Sequence, residues 1–283
     1  MTGLRKLILL SIAVLALSGT DSVRAQEFDY SEYAYVLNNF VDEHGMVVYG
    51  ALKAHRGSLD SFVESLGSLD RSTFNSWSED AQIAFLVNAY NAITLQRIIN
   101  HYPIEPTFPN KLIHPDNSIR QIKGGFDKIE TEVLGESMTL DHIEHEILRK
   151  EYNEPRIHMA LVCAALSCPE LRQEPYTGSE LDSQLNDQTD EFMGKSDKFR
   201  IDRQNDVMYV SSIFDWFGQD FIPDYGGHSD FQHLNEKKSA VMHFISQYVD
   251  ENDRNYLQNE DYEVQYLDYD WTLNSQKMYK ENI

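Results

Sequence analysis

In Ser78-Glu-Asp-Ala-Gln-Ile-Ala-Phe-Leu-Val-Asn-Ala-Tyr-Asn-Ala-Ile-Thr-Leu95, an acidic first turn precedes an almost unbroken apolar run. Ser78 is a good helix cap, and acidic residues suit the positive end of a helix dipole. The pattern therefore predicts a helix that continues to about His101. Asn88 and Asn91 lie three residues apart and share one face of it. Because buried amides need partners, they either orient a catalytic His or Glu or fix helix packing.

The segments around this helix predict a mainly helical protein. Apolar spacing indicates further helices at 31–42, 50–66, 71–77, 141–150, 178–193 and 234–249. Segment 155–165 is ambiguous between a helix and a buried strand, and Asn153-Glu-Pro155, which resembles a helix start, favours the helix. Hairpins are predicted at 129–140 and 199–210, and a last strand at 264–267. The fold class is therefore α+β: a mainly helical single domain with a few short antiparallel strands or hairpins.

The first 25 residues have the features of a cleavable export signal. A basic start at Arg5 and Lys6 precedes an apolar run, and Val23-Arg-Ala25 offers small residues at the cleavage positions. The apolar run is too short for an ordinary membrane span, so no stable membrane anchor is expected. The sequence predicts a signal peptide at 1–25, one globular domain at 26–275, a polar tail at 276–283, and a periplasmic or extracellular location.

The charge balance limits the classes of partner. The chain has 46 acidic and 24 basic residues, a formal net charge of −22. Such a surface repels phosphate backbones and anionic membranes, so nucleic-acid binding is not expected. A small molecule or a peptide is the expected partner, and no cofactor is predicted.

Both cysteines lie in Arg156-Ile-His-Met-Ala-Leu-Val-Cys-Ala-Ala-Leu-Ser-Cys-Pro169, together with His158. A cysteine beside a histidine is the nucleophile of thiol hydrolases, whereas two cysteines in an exported protein favour a disulfide. Residues five apart in a helix are roughly 8–9 Å apart, beyond the reach of a disulfide. A Cys163–Cys168 bridge therefore requires the backbone to leave the helix between them.

A second chemical cluster lies in the predicted helix at 141–150. Helical spacing places Glu144 in the middle of an apolar arc and His145 on its flank. Glu144 either faces the core, which requires pairing or protonation, or closes a capping box with Asp141. The run Asp141-His-Ile-Glu-His145 only weakly resembles a zinc-protease pattern, so no metal is predicted.

The candidate site residues come from all of these segments and from the run Tyr269-Asp-Trp-Thr-Leu-Asn274. Asp270 in that run either clamps the C-terminal segment or lines a pocket. The catalytic candidates are Cys163, Cys168, His158, His145, Glu144 and Asn88. The ligand-binding candidates are Asn91, Arg156 and Asp270.

In combination, the segments 85–92, 140–149, 155–169, 214–221 and 269–274 resemble family 547 of the domains of unknown function. The resemblance covers roughly residues 70–275. It implies one globular domain of a kind found in exported bacterial proteins and in eukaryotic proteins. Some eukaryotic members resemble fusions to glutaredoxin-like modules, which hints at thiol chemistry, but the resemblance implies no particular reaction. The family typically has glycine after the first cysteine, where this chain has Ala164.

Three hypotheses follow for function. The first is a cysteine-dependent hydrolase or acyl transferase, with a peptide, amide or thioester as substrate and His158 or His145 as base. The second is a non-catalytic binding or structural module with a Cys163–Cys168 disulfide. The third is a thiol redox protein in which the same pair cycles.

Overall fold

The computed structural model describes residues 28–231 and 233–276. The predicted signal peptide at 1–25 lies outside the described residues, and so does the predicted tail at 276–283 except for its first residue. Export and these boundaries therefore stay predictions.

Helices dominate the described residues, which confirms the predicted α+β class. The α-helices are α1 (Ser31–Phe40), α2 (Tyr49–Ala54), α3 (Gly57–Ser68), α4 (Arg71–Phe74), α5 (Glu79–His101), α6 (Arg149–Glu151), α7 (Leu181–Met193), α8 (Ile213–Phe217), α9 (Ile222–Tyr225), α10 (Glu236–Ile245) and α11 (Glu251–Asn259). Short 3₁₀ segments lie at Asn110–Leu112, Ile119–Gln121, Pro155–Met159, Gly218–Phe221 and Ser229–Phe231, and a π-helix lies at His142–Leu148.

The strands form two small sheets, and they are β1 (Thr131–Val133), β2 (Glu136–Met138), β3 (Phe199–Asp202), β4 (Val207–Val210) and β5 (Glu263–Tyr266). The pairs β1–β2 and β3–β4 are the two predicted hairpins. Leu134 and Gly135 both have positive φ at the first turn, as a tight two-residue hairpin requires. The expectation of purely antiparallel strands is wrong for β5, which pairs in parallel with β4 because α8–α11 connect them.

Helix α5 lies at the centre of the larger group of buried side chains. The Ser78 hydroxyl accepts a hydrogen bond from the Ala81 backbone N–H, which confirms the predicted cap. The helix contacts α2, α3, α7 and the π-helix, so nearly every face of it is covered. A second group of buried side chains packs around α8, α10 and β3–β5, and Tyr269 contacts both groups.

The prediction of one helix over 50–66 is wrong, because the chain turns between α2 and α3. Arg56, at this turn, donates two hydrogen bonds to Asp60 and one to Asn100 of α5. These bonds hold the first turn of α3 against α5 in a new direction. Similarly, the helix predicted at 234–249 ends at Ile245, and Asp250 caps the separate helix α11.

The segment predicted as a helix at 141–150 is a π-helix followed by the short α6. The capping-box interpretation is wrong, since Asp141 makes no side-chain cap and the Thr139 hydroxyl accepts the hydrogen bond from the His142 N–H instead. Glu144 is buried, as its position in an apolar arc predicts. Since the capping box is absent, the buried carboxyl of Glu144 must be accommodated by other partners.

The prediction of a helix over 155–165 is also wrong beyond its first turn. Asn91 explains the break: its amide donates to the Ala160 carbonyl at 2.9 Å and accepts from the Val162 N–H at 2.8 Å. These groups are therefore satisfied without helical hydrogen bonds. Ala164 follows with a φ of 61°, in the left-handed region that favours glycine. The Cα atoms of Cys163 and Cys168 come within 6.1 Å, and the disulfide forms.

Candidate functional site

A cavity of about 690 Å³ opens where the two groups of buried side chains meet. Its walls come from α5, the loop 110–127, the π-helix, segment 158–163, α8 and segment 269–271. A cavity of this size accommodates a small organic molecule. Its chemically active lining residues are Tyr90, His114, Arg120, Asp127, Asp141, Glu144, His145, His158, Cys163 and Tyr269.

Glu144 brings a carboxyl group into this cavity from the π-helix. Its residue surface is 8% exposed, and its carboxyl is hydrogen bonded to Tyr90 of α5. Burial raises the pKa of Glu144 to about 7, although the Tyr90 hydrogen bond and the charge of Arg149 act in the opposite direction. A carboxyl group with this pKa exchanges a proton near neutral pH, as a general acid or base must.

His158 is held by an ionised aspartate. Its Nε2 lies 2.8 Å from Asp220 Oδ2, and Arg149 donates two further hydrogen bonds to the same carboxylate. Burial alone would raise the pKa of Asp220, but the bonds from His158 and Arg149 outweigh it and hold the pKa at about 2. Because the carboxylate only accepts, Nε2 of His158 must carry the hydrogen. Burial lowers the pKa of His158, so its ring is neutral and Nδ1 is an acceptor.

His145 extends this network toward Glu144. Arg149 Nη1 donates to His145 Nδ1 at 3.2 Å, and the same nitrogen lies 3.9 Å from Glu144 Oε1. Burial lowers the pKa of His145, and the charge of Arg149 lowers it further. A neutral His145 is therefore expected beside a carboxyl group that is itself half-protonated near pH 7.

An aromatic wall, formed by Trp216, Phe217, Tyr269 and Trp271, runs along one side of the cavity. The ring of His158 stacks on Phe217 with a centroid distance of 4.2 Å and an interplanar angle of 11°. Trp216 and Trp271 stack at 6.0 Å, and Tyr269 lies 4.7 Å from each of them. The wall restricts the orientation of His158 and offers flat apolar surface to a ligand.

The disulfide forms part of the cavity wall. Cys163 is half-buried and lines the cavity, whereas Cys168 is buried and lines a second cavity of about 660 Å³ on the other side. The Tyr269 hydroxyl lies 3.1 Å from each sulfur atom. With both sulfur atoms in the bridge, neither cysteine is a thiolate in this structure, and the described residues contain no free cysteine.

Of the nine residues proposed from the sequence, the structure brings Glu144, His145, His158 and Cys163 to this cavity. Asn88 is not among its lining residues, because its amide is fully used by the backbone N–H and carbonyl of Tyr176. Its hydrogen bonds therefore reach no histidine. The catalytic roles of all these residues stay predictions.

The three ligand-binding candidates lie elsewhere. Asn91 holds the backbone before Cys163, and Arg156 forms ion pairs with Glu154 and Asp182. Asp270 lines the second cavity, where its backbone N–H bonds to the Ser167 hydroxyl and its carboxylate accepts from the Thr272 N–H. Asp270 therefore has both local hydrogen bonds in the C-terminal segment and a place in a cavity wall, and its role stays a prediction.

Asp220, Arg149 and Tyr90 belong to the network but were not among the nine residues proposed from the sequence. A charged residue amid the rings of 213–221 was the available signal for Asp220, and the four-residue spacing of His145 and Arg149 was the signal for Arg149. Nothing in the local pattern distinguishes Tyr90 from an ordinary core residue.

Within residues 28–231 and 233–276, no group of three or more His, Cys, Asp and Glu side chains is arranged to hold a metal ion. In the same described part of the chain, no helix has the length and apolar character needed to cross a membrane.

The comparisons with known proteins give a family for part of the chain. No curated protein and no solved structure matches it. Residues 74–193 match a family model, and this segment carries α5, the π-helix and the disulfide, whereas Asp220 and all four members of the aromatic wall lie beyond α7. The family whose model matches residues 74–193 is described as Protein of unknown function, DUF547.

Proposed function

We propose that the cavity binds a small organic ligand and catalyses its hydrolysis by acid–base chemistry. The observation that carries this proposal is the pairing of Glu144, whose pKa is about 7, with a neutral His158 held by an ionised Asp220. Burial raises the pKa of Glu144 and lowers that of His158, so near neutral pH a protonated carboxyl faces a neutral imidazole, which assigns an acid and a base. Water serves as the nucleophile, because both sulfur atoms are bound in the disulfide.

In this mechanism, Nδ1 of His158 takes a proton from water as the water oxygen attacks an ester or amide carbon. Asp220 stabilises the imidazolium that forms, since it already accepts a hydrogen bond from Nε2. Glu144, protonated up to about pH 7, gives its proton to the departing oxygen or nitrogen. The proton that His158 gained then returns to Glu144 through solvent.

The test compares two glutamates on the same π-helix. Glu144→Gln should lower kcat/KM on p-nitroanilides by roughly 100-fold, since it removes the proton donor to the departing amine. Glu146→Gln is the matched control, because Glu146 is exposed and pairs only with Lys150. The wild-type rate should fall as pH rises through about 7, and this limb should vanish in Glu144→Gln. Equal rates for the two variants would exclude Glu144 as the acid.

A thiol redox role is the second candidate, favoured by the half-buried Cys163 sulfur in the cavity wall. A small dithiol would attack Cys163 Sγ, so that the disulfide breaks and Cys168 leaves as a thiolate that takes up a proton. The second thiol of the reductant would then displace Cys163, leaving the reductant oxidised and the protein with two thiols. The disulfide also supports the predicted export to an oxidising compartment.

This redox candidate predicts unequal sulfur reactivity. After reduction of the folded protein by dithiothreitol, iodoacetamide should alkylate Cys163 before Cys168, because Cys163 faces the cavity and Cys168 is 2% exposed. Peptide mass spectrometry at successive times would measure the order. A bridge that resists dithiothreitol until the protein unfolds, or equal labelling of both cysteines, would identify the disulfide as purely structural.

A further inference from the structure

Resting on the proposed function, we infer that the ligand of the cavity is an anionic amphiphile, with its negative group at Arg120 and its apolar portion along the cavity rim. The rim is defined here as Phe108, Leu112, Ile113 and Trp216. An ester or amide that also carries a carboxylate and a hydrocarbon chain has this chemistry, and a medium-chain fatty acid is a probe of it that is not hydrolysed.

Arg120 is an exposed residue of the cavity lining, and its charge acts on Asp141 of the same lining. Its guanidinium carbon lies 4.9 Å from the Trp271 ring centroid and 5.9 Å from that of Phe126. Among the described residues, no carboxylate lies within ion-pair distance of it, although the chain has far more acidic than basic residues. It is also the one Arg or Lys among the cavity-lining residues of the described chain. A guanidinium stacked on rings keeps its hydrogen-bonding edges free for a carboxylate or phosphate.

The rim gathers most of the exposed apolar side chains of the described residues. Phe108 is 77% exposed, Ile113 is 75% exposed, and Leu112 and Trp216 are exposed as well, whereas Tyr35 alone completes the set of large exposed hydrophobic residues in this part of the chain. Ile113 and Trp216 line the cavity itself. Asn110, between Phe108 and Leu112, donates a hydrogen bond to the Arg120 carbonyl at 2.6 Å, so the rim loop and the cation are tied together.

Apolar side chains concentrated at the mouth of a cavity mark a binding surface. The cavity beneath them has the size of a small-ligand site, which favours a ligand that fills the cavity and extends over the rim. The net charge of −22 disfavours docking on an anionic membrane. The net charge does not exclude an amphiphile with a single anionic head group. Its head group would lie beside the positive charge of Arg120 while its apolar chain covers the rim.

Isothermal titration calorimetry of the full-length protein tests this inference with three probes: decanoate below its micelle concentration, 1-decanol, and acetate. Decanoate should bind roughly tenfold more tightly than 1-decanol, the contribution of one charge-assisted pair, and acetate should bind far more weakly than either. Arg120→Gln should remove the advantage of decanoate over 1-decanol. Lys123→Gln, which changes an exposed cation outside the cavity lining, should keep it. Leu112→Ser with Ile113→Ser should weaken both chain-bearing probes.

Three results would overturn the inference: equal affinity for decanoate and 1-decanol, an unchanged decanoate affinity in Arg120→Gln, or sedimentation with phosphatidylcholine vesicles without binding of monomeric decanoate. Circular dichroism would establish that each variant is folded. The outcome is separable from that of the proposed function. Decanoate binding without Glu144-dependent hydrolysis would contradict the proposed enzyme activity but not the ligand class. Hydrolysis without decanoate binding would contradict the ligand class but not the enzyme activity.

Discussion

At pH 8, Glu144→Gln should make the protein more stable to unfolding by about 3 kcal/mol, at 1.36 kcal/mol per unit of pKa shift. The reason is that burial raises the pKa of Glu144 from 4.5 to about 7, so the native state keeps a proton that the unfolded chain releases. Between these two pH values the wild-type protein loses stability as pH rises. The amide of the variant does not titrate, so the stability of the variant does not fall with pH for this reason.

Urea unfolding at pH 4.5, 6 and 8 would measure the effect. The difference between variant and wild type should grow from pH 4.5 to 7 and stay constant above pH 7. The control, Glu146→Gln, should leave this pH dependence unchanged because Glu146 is exposed. If Glu144→Gln were no more stable than the wild type at pH 8, the carboxyl would be satisfied as an anion and its assignment as an acid would be wrong. A gain in stability with a loss of rate is the behaviour expected of a strained functional group.

The second large effect is expected for Asp220→Ala, which should lower the free energy of unfolding by about 3 kcal/mol at pH 7. Asp220 is half-buried and bonds both Arg149 and the buried His158, so its removal leaves two polar groups without this partner. Asp220→Asn keeps the shape of the side chain but removes its negative charge. Comparing it with Asp220→Ala separates the contribution of the charge to stability from that of the rest of the side chain. Hydrolysis should fall in both variants, since His158 loses its positioning residue and the stabilisation of its imidazolium.

The pH dependence of this effect has the opposite sign to that of Glu144. The folded pKa of Asp220, about 2, lies below its ordinary value of 3.8. Its stabilisation is therefore complete above pH 3.8 and is lost as pH falls from 3.8 toward 2. Asp215→Ala is the matched control, because Asp215 lies on the neighbouring helix α8 and pairs with Lys237 at the surface, where a cost below about 1 kcal/mol is expected. A similar loss of unfolding free energy in Asp220→Ala and Asp215→Ala would show that the Asp220 network contributes little to stability.

Local patterns predicted the parts of the fold that depend on local physics. Ser78 capped α5 as expected, and the two hairpins formed where alternating segments flank turn residues. The failures came where a distant residue overrode a local preference. Asn91, from α5, takes the hydrogen bonds that would have continued a helix past Ala160. Arg56 directs α3 through a contact to Asn100 that no local pattern reveals.

The candidate site was likewise predictable where a local pattern was unusual and unpredictable where a distant residue completes it. The anomaly of a glutamate in an apolar arc pointed to Glu144, and the apolar surroundings of His158 pointed to that imidazole. The aspartate that holds His158 lies 62 residues away in sequence, so no spacing rule connects the two. Asn88 and Asn91 carried the same signal as Glu144, yet the structure uses both amides to anchor backbone. An amide is satisfied by backbone groups, whereas an isolated buried carboxyl is not, and this difference makes the glutamate the more informative anomaly.

The π-helix at His142–Leu148 determines which side chains of this segment reach the cavity. Adjacent positions of an α-helix diverge by about 100°, whereas the wider turn of a π-helix narrows that angle. Glu144 and His145 are therefore sequence neighbours that face the same cavity. Such a turn is what a one-residue insertion into an α-helix produces. Deleting one residue here should restore the spacing of about 100° and turn His145 away from Glu144.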